Sequence, residues 1–391
     1  MENVLELCIK LIRERSYSGE EKNIVKVIEE YMKGAGFDEV FIDRYGDIIG
    51  CIKGNSPGRK ILMDGHIDTV PVQDDTLKDW KYPPFEGTIA EGKLYGRGSS
   101  DMKAAVAAMI CAAEDWKKKN GNDFAGEVYV AGVVHEECFE GVAAREISKL
   151  VKPDFVIIGE ASEMNLKIGQ RGRAEITLEV FGKSCHSSNP QNGINAVKKA
   201  MKIATEFEKI KLPQQEEMSP AILELTDIIS SPYPGESVVP DYCKITFDRR
   251  TLPNETEESV LEPLKQVIEN MKKTDSQINA KVDFSYGENI AYTGEKIAAK
   301  RFFPAWKRER TEDFVKASLD ALHKAGIDSK ISTYNFCTNG SHYGGEAGLK
   351  TIGFGPSKEC LAHVVGEYAE VDDILKAKDG YMALIEALLN I

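Results

Sequence analysis

Three short apolar runs in this 391-residue chain each end in a histidine or a carboxylate. Lys60–Met63 runs on to His66, Glu127–Val134 stops at His135-Glu136-Glu137, and Phe155–Ile158 stops at Gly159-Glu160. Stretches with helical spacing, Met102–Lys119 and Ala143–Leu150, stand between them. Strands that alternate with helices bury their apolar faces in a largely parallel sheet covered by helices. Ligands of such sheets collect beyond the carboxyl ends of the strands. His66, Glu136, Glu137 and Glu160 are therefore expected on one rim of an α/β domain.

The segment after the first run reads His66-Ile67-Asp68-Thr69. Side chains at i and i+2 of a strand share a face. A metal-binding histidine usually donates its other ring N–H to a carboxylate or a carbonyl, and His-x-Asp at a strand end suits that. Asp101 follows the turn Gly96-Arg97-Gly98 and opens an alanine-rich helix. Taken singly, His66 is a surface histidine, Asp101 a helix N-cap and Glu136-Glu137 a solvated acidic turn. Taken together they favour a metal centre.

The pattern changes after Arg171. Strands at Arg173–Phe181, Ile222–Ile229, Lys244–Arg250 and Lys281–Tyr286, with helices at Asn195–Ile210 and Ser259–Lys273, give the βαββαβ order of a ferredoxin-like domain. The α/β pattern then resumes with a helix at Thr311–Ala325, a strand at Thr351–Gly355, a loop carrying His363 and a last helix at Ile374–Leu389. The expected organisation is an α/β domain of residues 1–172 plus 288–391 that carries the site, with an inserted α+β domain at 173–287 over it as a lid.

Fifty basic against 63 acidic residues leave a net charge of −13, which argues against a nucleic-acid or anionic-membrane surface. No stretch approaches the ~18 apolar residues of a membrane span. The first residues read as an amphipathic helix with charges throughout, not as a secretory signal. The eight cysteines form no C-x-x-C pair, so neither a disulfide framework nor a thiolate zinc site is indicated. A cytoplasmic location is expected.

In order, the motifs GHIDTVP, GRGSSDMK, HEE, IIGEAS, SCHSSNPQNGINA, DRRTLP and a late loop with His363 resemble those of the M20 family of metallopeptidases and deacylases. The resemblance covers nearly the whole chain. Within the family, GQRGRAEI, SCHSS, FFPAWK, TNGS and GFGPSKE look most like a branch associated with selenium metabolism.

The resemblance implies a mostly parallel-sheet zinc-peptidase-like domain with two divalent metal ions. Zinc suits a thiolate-free set of imidazoles and carboxylates, and cobalt and manganese are also compatible. His66 and Glu160 would bind one ion, Glu137 and His363 the other, and Asp101 would bridge them. Asp68 would orient His66, and Glu136 would be the general base for attack by metal-bound hydroxide. His186 would stabilise the oxyanion, often from the partner subunit of a homodimer. Arg250 resembles a substrate-carboxylate clamp, although Arg249 stands beside it. Asn339 and Gly340 resemble a substrate loop, and His342 beside it is a candidate substrate contact. The expected substrate is a small N-acyl amino acid or a short peptide with a free carboxylate. Alternatives are a C–N hydrolase of selenium or purine metabolism, and a non-catalytic metal-binding protein.

Overall fold

The computed structural model describes residues 3–391, which divide into two units. The first comprises 3–170, 288–299 and 306–391; the second comprises 171–287 and 300–305.

The first unit is a mixed α/β layer structure around a nine-stranded sheet. In spatial order its strands are Glu39–Ile42, Ile48–Lys53, Ala125–Val133, Ser56–His66, Phe155–Ile158, Lys350–Gly353, Leu166–Gln170 and Trp306–Lys307, with Ile331–Tyr334 also paired to Leu166–Gln170. The middle is parallel: Ser56–His66 pairs in parallel with Ala125–Val133 and with Phe155–Ile158, and the latter with Lys350–Gly353. The three runs singled out in the sequence thus lie side by side and point the same way, so their carboxyl ends share one rim.

The helix Lys103–Asn120 is alanine-rich, which favours helix intrinsically, and its first twelve residues are all buried. Small side chains let it lie close on the sheet. A Cβ at Gly65 would meet the Met102 and Met109 methyls at 2.7 Å, and one at Gly159 would meet them at 2.8 and 2.9 Å. Lys117, Lys118 and Lys119 in its last turn complement the helix dipole. No described helix is long and apolar enough to cross a membrane.

The second unit is an antiparallel sheet in the order Ile222–Ser231, Tyr242–Thr251, Gly172–Phe181, Asn279–Phe284. Gly172–Phe181 and Tyr242–Thr251 alternate strictly between buried and half-buried positions. Their buried residues, such as Ile176, Leu178, Ile245 and Phe247, form one core with the apolar faces of helices Ala196–Phe207 and Glu257–Thr274. The insertion expected at 173–287 is thereby extended. Phe302–Phe303 pairs with Arg173 and Ala174, so 300–305 belongs with the second unit and not with the flanking sequence.

Two features escape the sequence pattern. Leu166–Gln170 has too few apolar residues to read as a strand. It forms one because it has partners on both sides, Ile331–Tyr334 in parallel and Trp306–Lys307 antiparallel. A small sheet of Thr88–Ala90, Lys93–Tyr95 and Tyr368–Glu370 carries Arg97 and Glu367 at its ends.

Candidate metal centre

Every residue of the expected metal set lies in the first unit, on the carboxyl-end rim. His66 closes its strand, and its Nε2 lies 2.8 Å from Asp101 Oδ1 and 3.5 Å from Glu160 Oε1. His363 Nε2 lies 3.0 Å from the other Asp101 oxygen, Oδ2, and 3.1 Å from Glu137 Oε2. Asp101 therefore turns one carboxylate oxygen to each imidazole. Two groups of donor atoms, His66/Glu136/Glu160 and His66/Asp101/Glu137, each fall within 4.8 Å.

The charges suit a cation. Burial pushes the carboxyls of Glu136 and Glu160 well above their ordinary range, and neighbouring acids push them further. Glu137 is raised by burial and then by Asp101. Burial alone would lower His66, but the charges of Glu160 and Asp101 carry it well above its usual value. His363 rises to about 10 because Asp101 and Glu137 accept from it. Burial opposes the charge on Asp101 as well, yet His66 and His363 hold it far below the carboxylate range. Without a cation, this crowd of carboxylates is compensated only by borrowed protons. Imidazole and carboxylate donors at these separations fit divalent ions, which would replace the protons.

Asp68 meets His66 through its main chain. The His66 Nδ1 partner is the Asp68 main-chain carbonyl at 2.9 Å, whereas the nearest Asp68 carboxylate oxygen is 3.7 Å away. The carboxylate is turned to the next strand end instead. Its Oδ1 accepts from the Glu136 N–H at 3.0 Å and its Oδ2 from the Glu137 N–H at 3.2 Å. Ser18 Oγ donates to the same Oδ2 at 2.6 Å. The adjacent glutamates diverge from this anchored turn. Glu137 reaches His363, while Glu136 Oε1 is buried with no hydrogen-bond partner among the described residues.

Asn339 and Gly340 also have other work. Asn339 is 2 % exposed. It donates to Asp64 Oδ1 at 3.0 Å and accepts the Gly141 N–H at 2.8 Å, so both ends of its amide help to hold the loop in place. A Cβ on Gly340 would lie 2.7 Å from both Gln170 Oε1 and Trp306 Nε1, so that glycine answers to close packing. His342, a candidate substrate contact, has both ring nitrogens engaged, by Ser148 Oγ at 2.7 Å and Glu346 at 2.8 Å.

His186 and Arg250 belong to the second unit. His186 is exposed. Its Nδ1 accepts the Ser188 N–H at 3.1 Å, which places the ring proton of the neutral form on Nε2. Of the two adjacent arginines, Arg249 is 3 % exposed and committed to Glu255. Arg250 lies on the opposite face, where Asp248 holds its Nε at 2.8 Å.

The sequence reading missed Glu367. It is fully buried, and its Oε1 accepts from the Ser100 and Asp101 N–H groups at 2.8 and 3.1 Å. Its Oε2 pairs with the buried Arg97 guanidinium at 2.5 Å. Gly98 makes this turn possible: it sits at φ +85°, and a Cβ there would lie 2.8 Å from Lys103 Cδ. Glu367→Ala should destabilise the fold by about 3–5 kcal/mol, since it leaves Arg97 buried and unpaired. It should also weaken metal binding by about 10–100-fold, since Asp101 loses its anchor. Thermal unfolding and a metal-chelator competition would read the two effects. Unchanged metal affinity would mean that Glu367 serves stability alone.

Residues 62–387 match the model of peptidase family M20/M25/M40. The chain is 34 % identical over 359 residues to the uncharacterized protein YgeY of Escherichia coli K12, covering 90 % of this chain and 86 % of that one. It is 30 % identical over 259 residues to succinyl-diaminopimelate desuccinylase 2 of Ruegeria sp. TM1040, covering 63 % and 64 %. Among solved structures it superposes with TM-score 0.74 and 15 % identity on Bacillus subtilis YXEP, a dinuclear metal-binding peptidase of the M20 family, covering 99 % of this chain and 98 % of that one. By sequence match across most of its length and by fold, the chain belongs to the M20/M25/M40 peptidase family.

Proposed function

We propose that this protein hydrolyses an amide bond in a small N-acyl amino acid or short peptide that carries a free carboxylate. The observation that carries the reading is Asp101, which offers one oxygen to each of two imidazoles while Glu136, whose Oε1 has no partner among the described residues, lies within reach of His66 and Glu160. His66 and Glu160 would hold one divalent ion, Glu137 and His363 the other, with Asp101 shared. Zinc suits the donor set, as do cobalt and manganese. When bound, such a pair polarises a carbonyl and lowers the pKa of water.

The remaining steps fall to side chains. Glu136 takes the proton of the attacking water and later delivers it to the leaving amine nitrogen. The Glu136 oxygen that has no partner among the described residues is suited to that exchange. His186 would donate its Nε2–H to the developing oxyanion, and Arg250 would pair with the substrate carboxylate through its planar fork. We further propose a homodimer formed through the second unit. Its edge strand Ile222–Ser231 leaves one side of its ladder unpaired and exposes Ile228 and Ile229 by 48 % and 59 %, a combination that suits pairing with a second copy.

The test is metal analysis followed by N-acetyl amino acids, N-succinyl amino acids and dipeptides, with free amine detected by ninhydrin. Two metal ions per chain with no amine released from any member would end the amidohydrolase reading. Arg250→Lys should raise KM by about 10–100-fold for carboxylate substrates, because a point charge replaces a bidentate donor. Amide-capped substrates should be indifferent to it. An equal effect on both would assign Arg250 to its ion pair with Asp248.

A further inference from the structure

The His135–Glu137 turn has three successive amides held by carboxylates from distant parts of the chain. Asp68 takes two of them. Glu21 takes the third: its Oε1 accepts the His135 N–H at 3.2 Å and the Gly19 N–H at 2.9 Å. Glu21 is fully buried, and its Oε2 has no partner among the described residues.

The whole segment Ser16–Glu21 is fitted to this corner. Ser16 accepts the Thr69 N–H at 2.9 Å, and Ser18 donates to Asp68. Gly19 sits at φ +91°, where a Cβ would stand 3.3 Å from the Ile290 carbonyl and 3.6 Å from the His135 ring. His135 itself is at φ +58° with its side chain buried, a backbone state that residues other than glycine rarely adopt. Such a state persists only where the surroundings hold it.

We propose that Glu21 is a positioning residue of the active site, whose hold on the His135 amide fixes the left-handed bend from which Glu136 and Glu137 diverge. The proposal rests on the roles given above to those two glutamates. It assigns the Ser16–Glu21 segment to the site although none of its side chains is a metal donor. Burial, and after it the charge of Asp68, push the Glu21 carboxyl up to about 8, so glutamine is its near isostere at neutral pH.

Three variants test it: Glu21→Gln, Glu21→Leu and Glu21→Asp. Hydrogen–deuterium exchange is measured on the metal-free protein for a peptide spanning His135–Glu137, and kcat and KM on the metal-loaded enzyme. Glu21→Gln keeps an acceptor at Oε1 and should match the wild type in both. Glu21→Leu should expose the turn to faster exchange and lower kcat by about 10–100-fold with KM little changed. If Glu21→Leu does not fold, Glu21→Asp carries the test, since it retains a carboxyl but withdraws it by one carbon–carbon bond. Wild-type exchange in both Leu and Asp variants would overturn the proposal. So would a Gln variant as impaired as the Leu variant, or a kcat loss that only tracks the folded fraction. Failure of the base assignment shows elsewhere, as a Glu136→Ala enzyme that keeps its turnover, whereas exchange in the metal-free turn reads Glu21 alone.

Discussion

Glu136→Ala is expected to bind two metal ions per chain and to lose about 10²–10⁴-fold in kcat, the usual contribution of general acid–base work. The geometry separates it from its neighbour. Glu137 lies 3.1 Å from His363 and accepts the Val70 N–H at 3.2 Å, so both of its oxygens are tied into the His363 side of the centre. Glu136 has an oxygen with no partner among the described residues, buried within reach of His66 and Glu160. Removing it takes away a proton carrier and leaves the donors in place. Glu137→Ala should do the reverse first, lowering occupancy of one metal ion. Metal content by mass spectrometry, set beside kcat, distinguishes the two. Equal metal content in both variants would mean that the pair has been assigned the wrong way round.

The parts of this centre that were legible in the sequence are those at which periodicity ends abruptly. His66, Glu136, Glu137 and Glu160 each follow a run of apolar residues, and a parallel sheet sends all such ends to one rim. Asp101 was legible because a glycine turn and an alanine-rich helix bracket it. His363 was not, since its loop has no period; only its place in the ordered motifs marked it. Glu21 and Glu367 were illegible for a different reason. Each acts on main-chain N–H groups far away in sequence, and an acid at the edge of a helix or in a loop reads as a solvated charge. The contacts of Asn339 are hidden in the same way. A polar residue beside glycine in a loop gives no sign that its amide reaches Asp64 and Gly141. The sequence places Asp68 at this corner but does not show that its carbonyl meets His66 while its carboxylate holds Glu136 and Glu137, because strand geometry specifies which face a side chain takes but not which distant amides arrive there.

His186→Ala is expected to lower kcat by about 10²–10³-fold without changing metal content, since it removes an oxyanion donor and not a ligand. His186 lies in the second unit, is exposed, and presents an Nε2–H because Ser188 occupies its Nδ1. If the protein is a homodimer whose subunits exchange this donor, each His186 serves the partner's centre. Co-expression of Glu136→Ala chains with His186→Ala chains tests this directly, because each is inactive alone. In a mixed dimer, the site built on the His186→Ala chain has its own Glu136 and receives His186 from the other chain. The second site lacks both groups. Random pairing makes about half of the dimers mixed, so about a quarter of wild-type activity should return. If His186 acts within its own chain, no site in any dimer is complete and the mixture stays inactive. An inactive mixture in which differential tags show abundant mixed dimers would assign His186 to its own subunit, and an absence of dimers would remove the shared site altogether.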